Sequence, residues 1–275
     1  MKPLLLIGPI CKDINKYKDK EYHEIGGAVY YQSKILEKLK IPYQLETTIS
    51  QKDKNLIKKI IPKEKTHTIF KKETLEFKNI YTNTKRIQYS NFTNNPIKIE
   101  DLKLNQKYSA IILNPLLKTD IPKETIKKLK NLKIPIFLSM QGVIRNKTKN
   151  NKIKLEYNTQ IPKILKYTDT IFLDKTEAKI ITKKDNLKDA INTLKKTNQK
   201  EIIITLSNKG SIIYNKKLDE TILISPQKIK EAKYPTGAGD TYMITYIIKR
   251  LESENIKKYG EYASKITSYK IEGKY

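Results

Sequence analysis

Short apolar runs alternate with stretches of helical periodicity along most of this chain of 275 residues. The runs Leu4–Ile7, Ala110–Leu113 and Thr170–Leu173 contain almost no polar residues. Strands of this kind are buried on both faces, as in parallel sheets that helices cover from both sides. Two other segments, Lys123–Leu132 between the second and third runs and Leu187–Thr197 after the third, have the apolar spacing of amphipathic helices. The alternation predicts an α/β fold around a mostly parallel central sheet.

Two segments break this alternation, at about residues 14–25 and 66–99. In the second, short runs are separated by Asn-rich turns, and Ile87 and Tyr89 alternate with polar neighbours. This is the period of a half-exposed antiparallel sheet. The two excursions predict a small β lid over the cleft of a single domain that spans residues 1–275.

The chain is strongly basic, with 56 lysine and arginine residues against 29 aspartate and glutamate residues and a formal net charge of +27. The lysines are scattered from one end of the chain to the other. A nucleic-acid-binding protein usually gathers its basic residues on one face. The charge therefore indicates background composition with a weak general affinity for polyanions, and no specific nucleic-acid partner is expected.

Sites that need several cysteines are excluded, because the chain has one cysteine, Cys11. The apolar start of the chain is interrupted by Gly8 and Pro9 and lacks a cleavage site, which favours a first strand over a signal peptide. No run reaches the roughly 20 apolar residues of a membrane-spanning helix. We therefore expect a soluble, cytoplasmic protein without a membrane partner.

The segment that points most directly to chemistry is Tyr234–Thr241. Gly237, Ala238 and Gly239 lead into a predicted helix, and small residues at a helix start leave backbone N–H groups open beside the positive end of the dipole. This is a site for an anion such as phosphate. Asp240 is placed to accept a proton from a hydroxyl group that attacks the phosphate. The alternative is an ordinary turn in which Asp240 caps the helix.

The run Thr236-Gly-Ala-Gly-Asp-Thr241 resembles the C-terminal signature of the ribokinase (PfkB) carbohydrate-kinase family. Other segments resemble family motifs and follow in the family's order along the chain. They are Gly8–Asp13, Gly26-Gly27-Ala28, Asn114–Leu117, Gln141–Arg145, Asp174–Glu177 and Thr205–Ser211. An ordered set of matches is far more specific than one motif alone.

The resemblance implies a three-layer αβα ribokinase-like sandwich and an ATP-dependent phosphotransferase that acts on a hydroxyl of a sugar, a polyol such as an inositol, or a nucleoside. The catalytic residues it implies are Asp240 as general base with Gly237, Ala238 and Gly239 as anion hole. The substrate-binding residues it implies are Asp13, Gly26, Gly27, Asn114, Gln141 and Arg145. The nucleotide-binding residues it implies are Asp174, Glu177, Thr205, Ser207, Gly210 and Thr236. It also implies Mg²⁺, held by Glu177 and Asp174 through water.

The chain departs from the family pattern at several positions. Tyr31 stands where the ribose kinases of the family have asparagine, which argues against ribose as the acceptor. Tyr234-Pro235 occupy the region where the family often has an aspartate linked to a monovalent-cation site, which argues against potassium activation. Asp174 replaces asparagine and Ser207 replaces glycine, and both changes bear on nucleotide affinity.

Three functions remain open on the sequence. They are a small-molecule kinase, a non-catalytic ligand-binding member of the same fold, and a basic nucleic-acid-binding protein. The intact Asp240 and its glycines favour the first over the second. The edges of the lid sheet suggest pairing between two copies, so a homodimer through the lid is a further expectation.

Overall fold

The computed structural model describes residues 1–58, 62–82, 86–91 and 94–275, and all structural statements concern these ranges. The predicted lid segment 66–99 thus lies partly outside the described residues.

The strands of these ranges follow in chain order as β1 (Leu4–Ile7), β2 (Cys11–Tyr17), β3 (Lys20–Gly26), β4 (Tyr43–Ser50), β5 (Thr66–Lys71), β6 (Leu75–Tyr81), β7 (Arg86–Ser90), β8 (Ala110–Leu113), β9 (Ile136–Ser139), β10 (Arg145–Lys147), β11 (Ile153–Leu155), β12 (Thr170–Asp174), β13 (Glu201–Thr205), β14 (Ser211–Asn215) and β15 (Glu220–Ile224). The α-helices are α1 (Ala28–Lys38), α2 (Lys54–Lys58), α3 (Lys123–Lys130), α4 (Ile161–Leu165), α5 (Lys175–Thr182), α6 (Leu187–Lys195), α7 (Ala238–Glu252) and α8 (Ile256–Ile271).

The central sheet has nine strands in the order β15-β14-β13-β12-β9-β8-β1-β4-β5. The strands from β13 to β5 are parallel, whereas β14 and β15 extend the sheet as an antiparallel edge. The predicted mostly parallel α/β sheet is confirmed. The strand β15 escaped sequence analysis because its residues are mostly exposed and lack a long apolar run.

Helices cover both faces of the central sheet, and strand β1 shows why. Successive side chains of a strand point to opposite faces. Leu4 and Leu6 accordingly pack in one core cluster with α1, α7 and α8, while Leu5 and Ile7 pack in a second with α3, α5 and α6. All four side chains are fully buried. The expected three-layer αβα sandwich is therefore the observed architecture.

The lid is a separate four-stranded sheet in the order β3-β2-β6-β7. Two antiparallel hairpins, β2–β3 and β6–β7, are joined by parallel pairing of β2 with β6. Its bounds differ from the predicted 14–25 and 66–99. The first excursion begins at Cys11, and Thr66–Lys71 belongs to the central sheet, because it pairs in parallel with Leu45–Ser50. No helix of the described ranges combines the length and apolar character of a membrane span.

Candidate active site

The helix α7 begins at Gly237, whose backbone is left-handed with φ 78° and ψ 9°. A Cβ atom there would lie 2.4 Å from the ring of Tyr31, so both the conformation and the contact require glycine. The N–H of Ala238 donates to the carbonyl of Pro235 at 3.1 Å. This N–H is therefore already bonded within the turn, whereas the sequence placed it in the anion hole. The open donors of the first turn are thus those of its neighbours, Gly239 above all.

Asp240 lies in the first turn of α7 and is partly exposed. Desolvation raises the pKa of its carboxyl to about 6, and the charge of Asp13 adds to the rise. The positive charges of Arg145 and Lys270 oppose it. These four groups therefore share one electrostatic environment although they come from β2, β10, α7 and α8. A carboxyl with a pKa near 6 is a competent base at neutral pH.

Asp13, on lid strand β2, packs against the glycine pair that opens α1. A Cβ atom on Gly26 would lie 2.0 Å from Oδ2 of Asp13, so the carboxylate occupies the space that glycine leaves. The thiol of Cys11 donates to its Oδ1 at 3.6 Å. Desolvation raises the pKa of Asp13 to about 6, while Arg145 and Arg86 lower it. Gly27, with φ 104°, is the N-cap of α1.

A Gly26→Ala substitution is expected to raise the KM for the acceptor about tenfold or more while leaving the KM for the donor unchanged. The methyl group would displace the carboxylate of Asp13, and a misplaced contact of this kind is costly to binding. Steady-state kinetics with each substrate varied in turn measures the effect, and the donor KM is the internal control. An equal rise in both KM values would contradict the assignment of Asp13 to the acceptor.

One face of the lid carries a connected row of polar side chains. The amide of Gln88 donates to Asn79 at 2.8 Å, Asn79 donates to Asn15 at 2.9 Å, and Asn15 donates to Glu24 at 2.9 Å. Asn15 is paired across the sheet with Asn79, and Asp13 precedes it on the same face by the two-residue period of a strand. Sequence analysis missed this row, although alternate polar residues on β2 were its signal.

Arg145 is buried, with 6% of its surface exposed, and its guanidinium lies 5.4 Å from the ring centroid of Phe77 in the lid. Its backbone N–H donates to the carbonyl of Gly142 at 3.1 Å, but within the described residues its guanidinium makes no hydrogen bond and no ion pair at contact distance. Its charge nevertheless acts on Asp13, Asp240 and Glu177. A buried arginine without a partner is costly, so this guanidinium is available to an anionic ligand.

Asp174 and Glu177 form a capping box at the start of α5. The side chain of Asp174 accepts from the N–H of Glu177 at 2.8 Å, and that of Glu177 accepts from the N–H of Asp174 at 2.9 Å. Desolvation, with the charges of Asp174 and Asp240, raises the pKa of Glu177 to about 8. Glu177 is therefore a buried carboxylate within electrostatic range of Asp240, and none of the described residues places a cation at contact distance from it.

The carboxylates of Glu177 and Asp174 fit a magnesium ion whose other ligands are waters and substrate phosphates. No group of three or more His, Cys, Asp or Glu side chains in the described ranges is arranged to hold a metal ion. Magnesium in phosphoryl-transfer sites is commonly held by one or two carboxylates, waters and the phosphates of the substrate. Glu177 and Asp174 match that donor set, since a hard cation would offset their charge.

Two further residues that the resemblance implies for substrate binding are Asn114 and Gln141. Asn114 is fully buried, and its amide exchanges two hydrogen bonds with Gln32 of α1 at 2.8 and 3.0 Å. It therefore joins α1 to the end of β8, and its predicted contact with the substrate stays a prediction. Gln141 is partly exposed beside Gly142, where the loop approaches Pro115 closely.

The turn after β13 holds three of the implied nucleotide-binding residues. Thr205 ends β13, and Ser207 is exposed with φ 55°, a left-handed backbone that explains glycine as the family residue. Gly210 has φ 87°, and a Cβ atom there would lie 1.9 Å from the carbonyl of Ile224. Thr236 lies in the turn before α7, where its carbonyl accepts a hydrogen bond from Lys270.

The family model for pfkB family carbohydrate kinases matches residues 55–274, well over half of the chain. An αβα sandwich with a β lid and a glycine-rich helix start beside an acid is the framework of a sugar-kinase-like enzyme. The chain belongs to the PfkB family of carbohydrate kinases, and it is a phosphotransferase with an alcohol group as acceptor. The recognition made from the sequence motifs is confirmed.

Solved structures share the fold over nearly the whole chain. A pyrophosphate-dependent kinase in the ribokinase family, complexed with a pyrophosphate analog and myo-inositol, is 22% identical, with a TM-score of 0.85 and coverage of 98% of this chain and 94% of that one. The Arabidopsis thaliana ribokinase complexed with ribose and ATP is 15% identical, with a TM-score of 0.77 and coverage of 98% and 92%. The Methanocaldococcus jannaschii nucleoside kinase is 17% identical, with a TM-score of 0.70 and coverage of 99% and 92%. No curated protein gives a significant match.

Proposed function

We propose that this enzyme transfers the γ-phosphoryl group of ATP to a hydroxyl of a small polyol of the sugar or inositol class. The observation that carries the proposal is the polar row Asp13, Asn15, Glu24, Asn79 and Gln88 on the lid. Amide and carboxylate groups at strand spacing match several hydroxyls of one small ring. The electrostatic coupling of Asp13 to Asp240 supports placing this row beside the base.

In the proposed reaction, the lid amides and Asp13 orient the acceptor so that one hydroxyl faces Asp240. Asp240, with a pKa of about 6, takes the proton as the hydroxyl oxygen bonds to the γ-phosphorus and the bond to the bridging oxygen breaks. The first-turn amide of Gly239 and the Arg145 guanidinium stabilise charge on the transferring group. Charge neutralisation on the donor phosphates is the chemistry that magnesium supplies beside Glu177 and Asp174 when bound.

The choice of ATP over other anhydrides has two supports. The segment Thr205–Ser211 resembles the nucleotide-binding segment of the family, and the ribokinase of similar fold binds ATP. Another similar structure is that of a pyrophosphate-dependent kinase, so pyrophosphate is the donor to compare. Pyrophosphate needs only the phosphate site beside α7, whereas ATP also needs a pocket for its nucleoside.

The test is a matrix of donors and acceptors with the purified protein and magnesium. ATP and pyrophosphate are each combined with sugars, inositols and nucleosides, and phosphorus NMR follows formation of the phosphate monoester. We expect transfer from ATP to a polyol. Transfer from pyrophosphate alone would overturn the donor assignment, and polyol binding by calorimetry without transfer from either donor would favour the non-catalytic alternative.

A further inference from the structure

Lys270, in the last turn of α8, reaches into the turn that precedes α7. Its Nζ donates to the carbonyl oxygen of Tyr234 at 2.7 Å and to that of Thr236. These carbonyls flank Pro235 and lie directly before Gly237 at the helix start. A lysine near a helix C-terminus commonly bonds the last carbonyls of its own helix, but this one bonds another segment 34 to 36 residues away.

The same turn is anchored to α8 at further points. The N–H groups of Lys233 and Tyr234 both donate to the carbonyl of Ile271, at 3.0 and 2.9 Å. The ammonium of Lys270 lies 5.4 Å from the ring centroid of Tyr31, the ring that Gly237 contacts. One cation therefore connects the end of α8, the turn and the aromatic ring against which the turn packs.

We propose that the Lys270 ammonium is a tethered cation that positions the Gly237–Gly239 turn for the reaction. Two carbonyl oxygens that converge on one point form a ligand set for a monovalent cation, and here the ammonium fills it. Lys270 is thus a positioning residue, which acts on the transferring phosphoryl group through the backbone of α7.

The charges around Lys270 agree with this role. Desolvation lowers the pKa of its ammonium to about 8, with a further contribution from Lys34, whereas Asp240 and Glu24 favour the charged form. The ammonium is partly withdrawn from water, so its two carbonyl ligands and the carboxylates compensate the cost of burial. A tethered cation also explains, in physical terms, why a free potassium ion is not expected to activate this chain.

The test removes the tethered cation and offers free ones in its place. In Lys270→Met we expect kcat to fall about 100-fold with little change in the acceptor KM, because a shift of about 1 Å in a catalytic group costs about that much in rate. This kinetic measurement rests on the proposed function. Potassium or ammonium chloride is expected to restore part of kcat, while tetramethylammonium chloride at equal ionic strength, too large for the site, is not. Lys265→Met, five residues earlier in the same helix and exposed, is the matched control, and we expect it to leave kcat unchanged.

A second readout does not depend on catalysis. Hydrogen–deuterium exchange is expected to rise in Lys270→Met at residues 230–240, where two amides bond to Ile271, and to fall again with potassium. Exchange in peptides from β1 and β8 shows whether Lys270→Met is folded. If it is not folded, Lys270→Gln, which keeps hydrogen-bond donors but loses the charge, replaces it in every measurement. Parental kcat and exchange in the variant, or losses that no cation reverses, would overturn the proposal. A parent protein without kinase activity would refute the proposed function, and the exchange arm would still decide the role of Lys270.

Discussion

An Asp240→Asn variant is expected to lose about 1,000-fold in kcat, within the range that a positioned general base contributes. The amide keeps the size and the first-turn position of the side chain but cannot take the hydroxyl proton. Asp240 lies beside the amides at the start of α7 and within range of Arg145 and Asp13. Donor affinity is expected to stay equal or to rise, since the variant has one negative charge less beside the donor phosphates.

The matched control is Asp189→Asn, because Asp189 is also an acid in the first turn of a helix, α6. It is exposed and contacts Asn186 at the surface. Its replacement is expected to leave kcat unchanged. Quenched-flow or steady-state turnover measures kcat, and calorimetry with a non-hydrolysable donor measures affinity. Turnover of Asp240→Asn within a few-fold of the parent would refute the assignment of the base.

The central fold was readable from the sequence because its strands are buried on both faces. The predicted strands Leu4–Ile7 and Ala110–Leu113 coincide with β1 and β8, and the predicted helix Lys123–Leu132 begins at the same residue as α3. The lid was harder to predict, because parallel pairing of β2 with β6 joins segments about 60 residues apart. Nothing local in Thr66–Lys71 shows that it pairs with β4.

The candidate site was predictable where its chemistry lies in one short segment. Gly237, Gly239 and Asp240 are neighbours in the chain, so the helix-start argument found them together. Lys270 has no local signal, since a lysine in a helix of this basic chain resembles any other until its Nζ is placed. Conversely, Asn114 fits a motif, but its pairing with Gln32 is visible only once α1 packs on the sheet.

The second large effect is expected for Arg145→Met. This buried guanidinium lowers the pKa of Asp13 and Asp240 and also acts on Glu177. Its removal leaves three carboxyl groups around the cleft without that charge and also removes the hydrogen-bond donor that we propose for the transferring phosphoryl group. We expect kcat to fall about 100-fold at neutral pH, the loss typical of one electrostatic contact to a transition state.

The pH dependence separates the two contributions of Arg145. The base must be deprotonated, so the kcat of the parent rises with pH through about 6, the pKa of Asp240. Without the guanidinium the pKa of Asp240 rises further, so the ascending limb of the pH profile of kcat moves to higher pH. Part of the lost kcat is therefore recovered when Arg145→Met is measured at higher pH. Arg145→Lys keeps the charge and is expected to keep the limb in place, while its donor KM rises because the planar fork is lost.

Arg86→Met is the matched control for this shift, because Arg86 acts on Asp13 but is not among the charges that set the pKa of Asp240. Its ascending limb in kcat is therefore expected to coincide with that of the parent. If Arg145→Met lost activity with an unmoved limb, Arg145 would act only by contact with the donor. If Arg86→Met moved the limb equally, the shift would reflect the general positive charge of the cleft. The expected pattern, a shift for Arg145→Met alone, requires the buried guanidinium and the catalytic carboxyl to share one desolvated cleft.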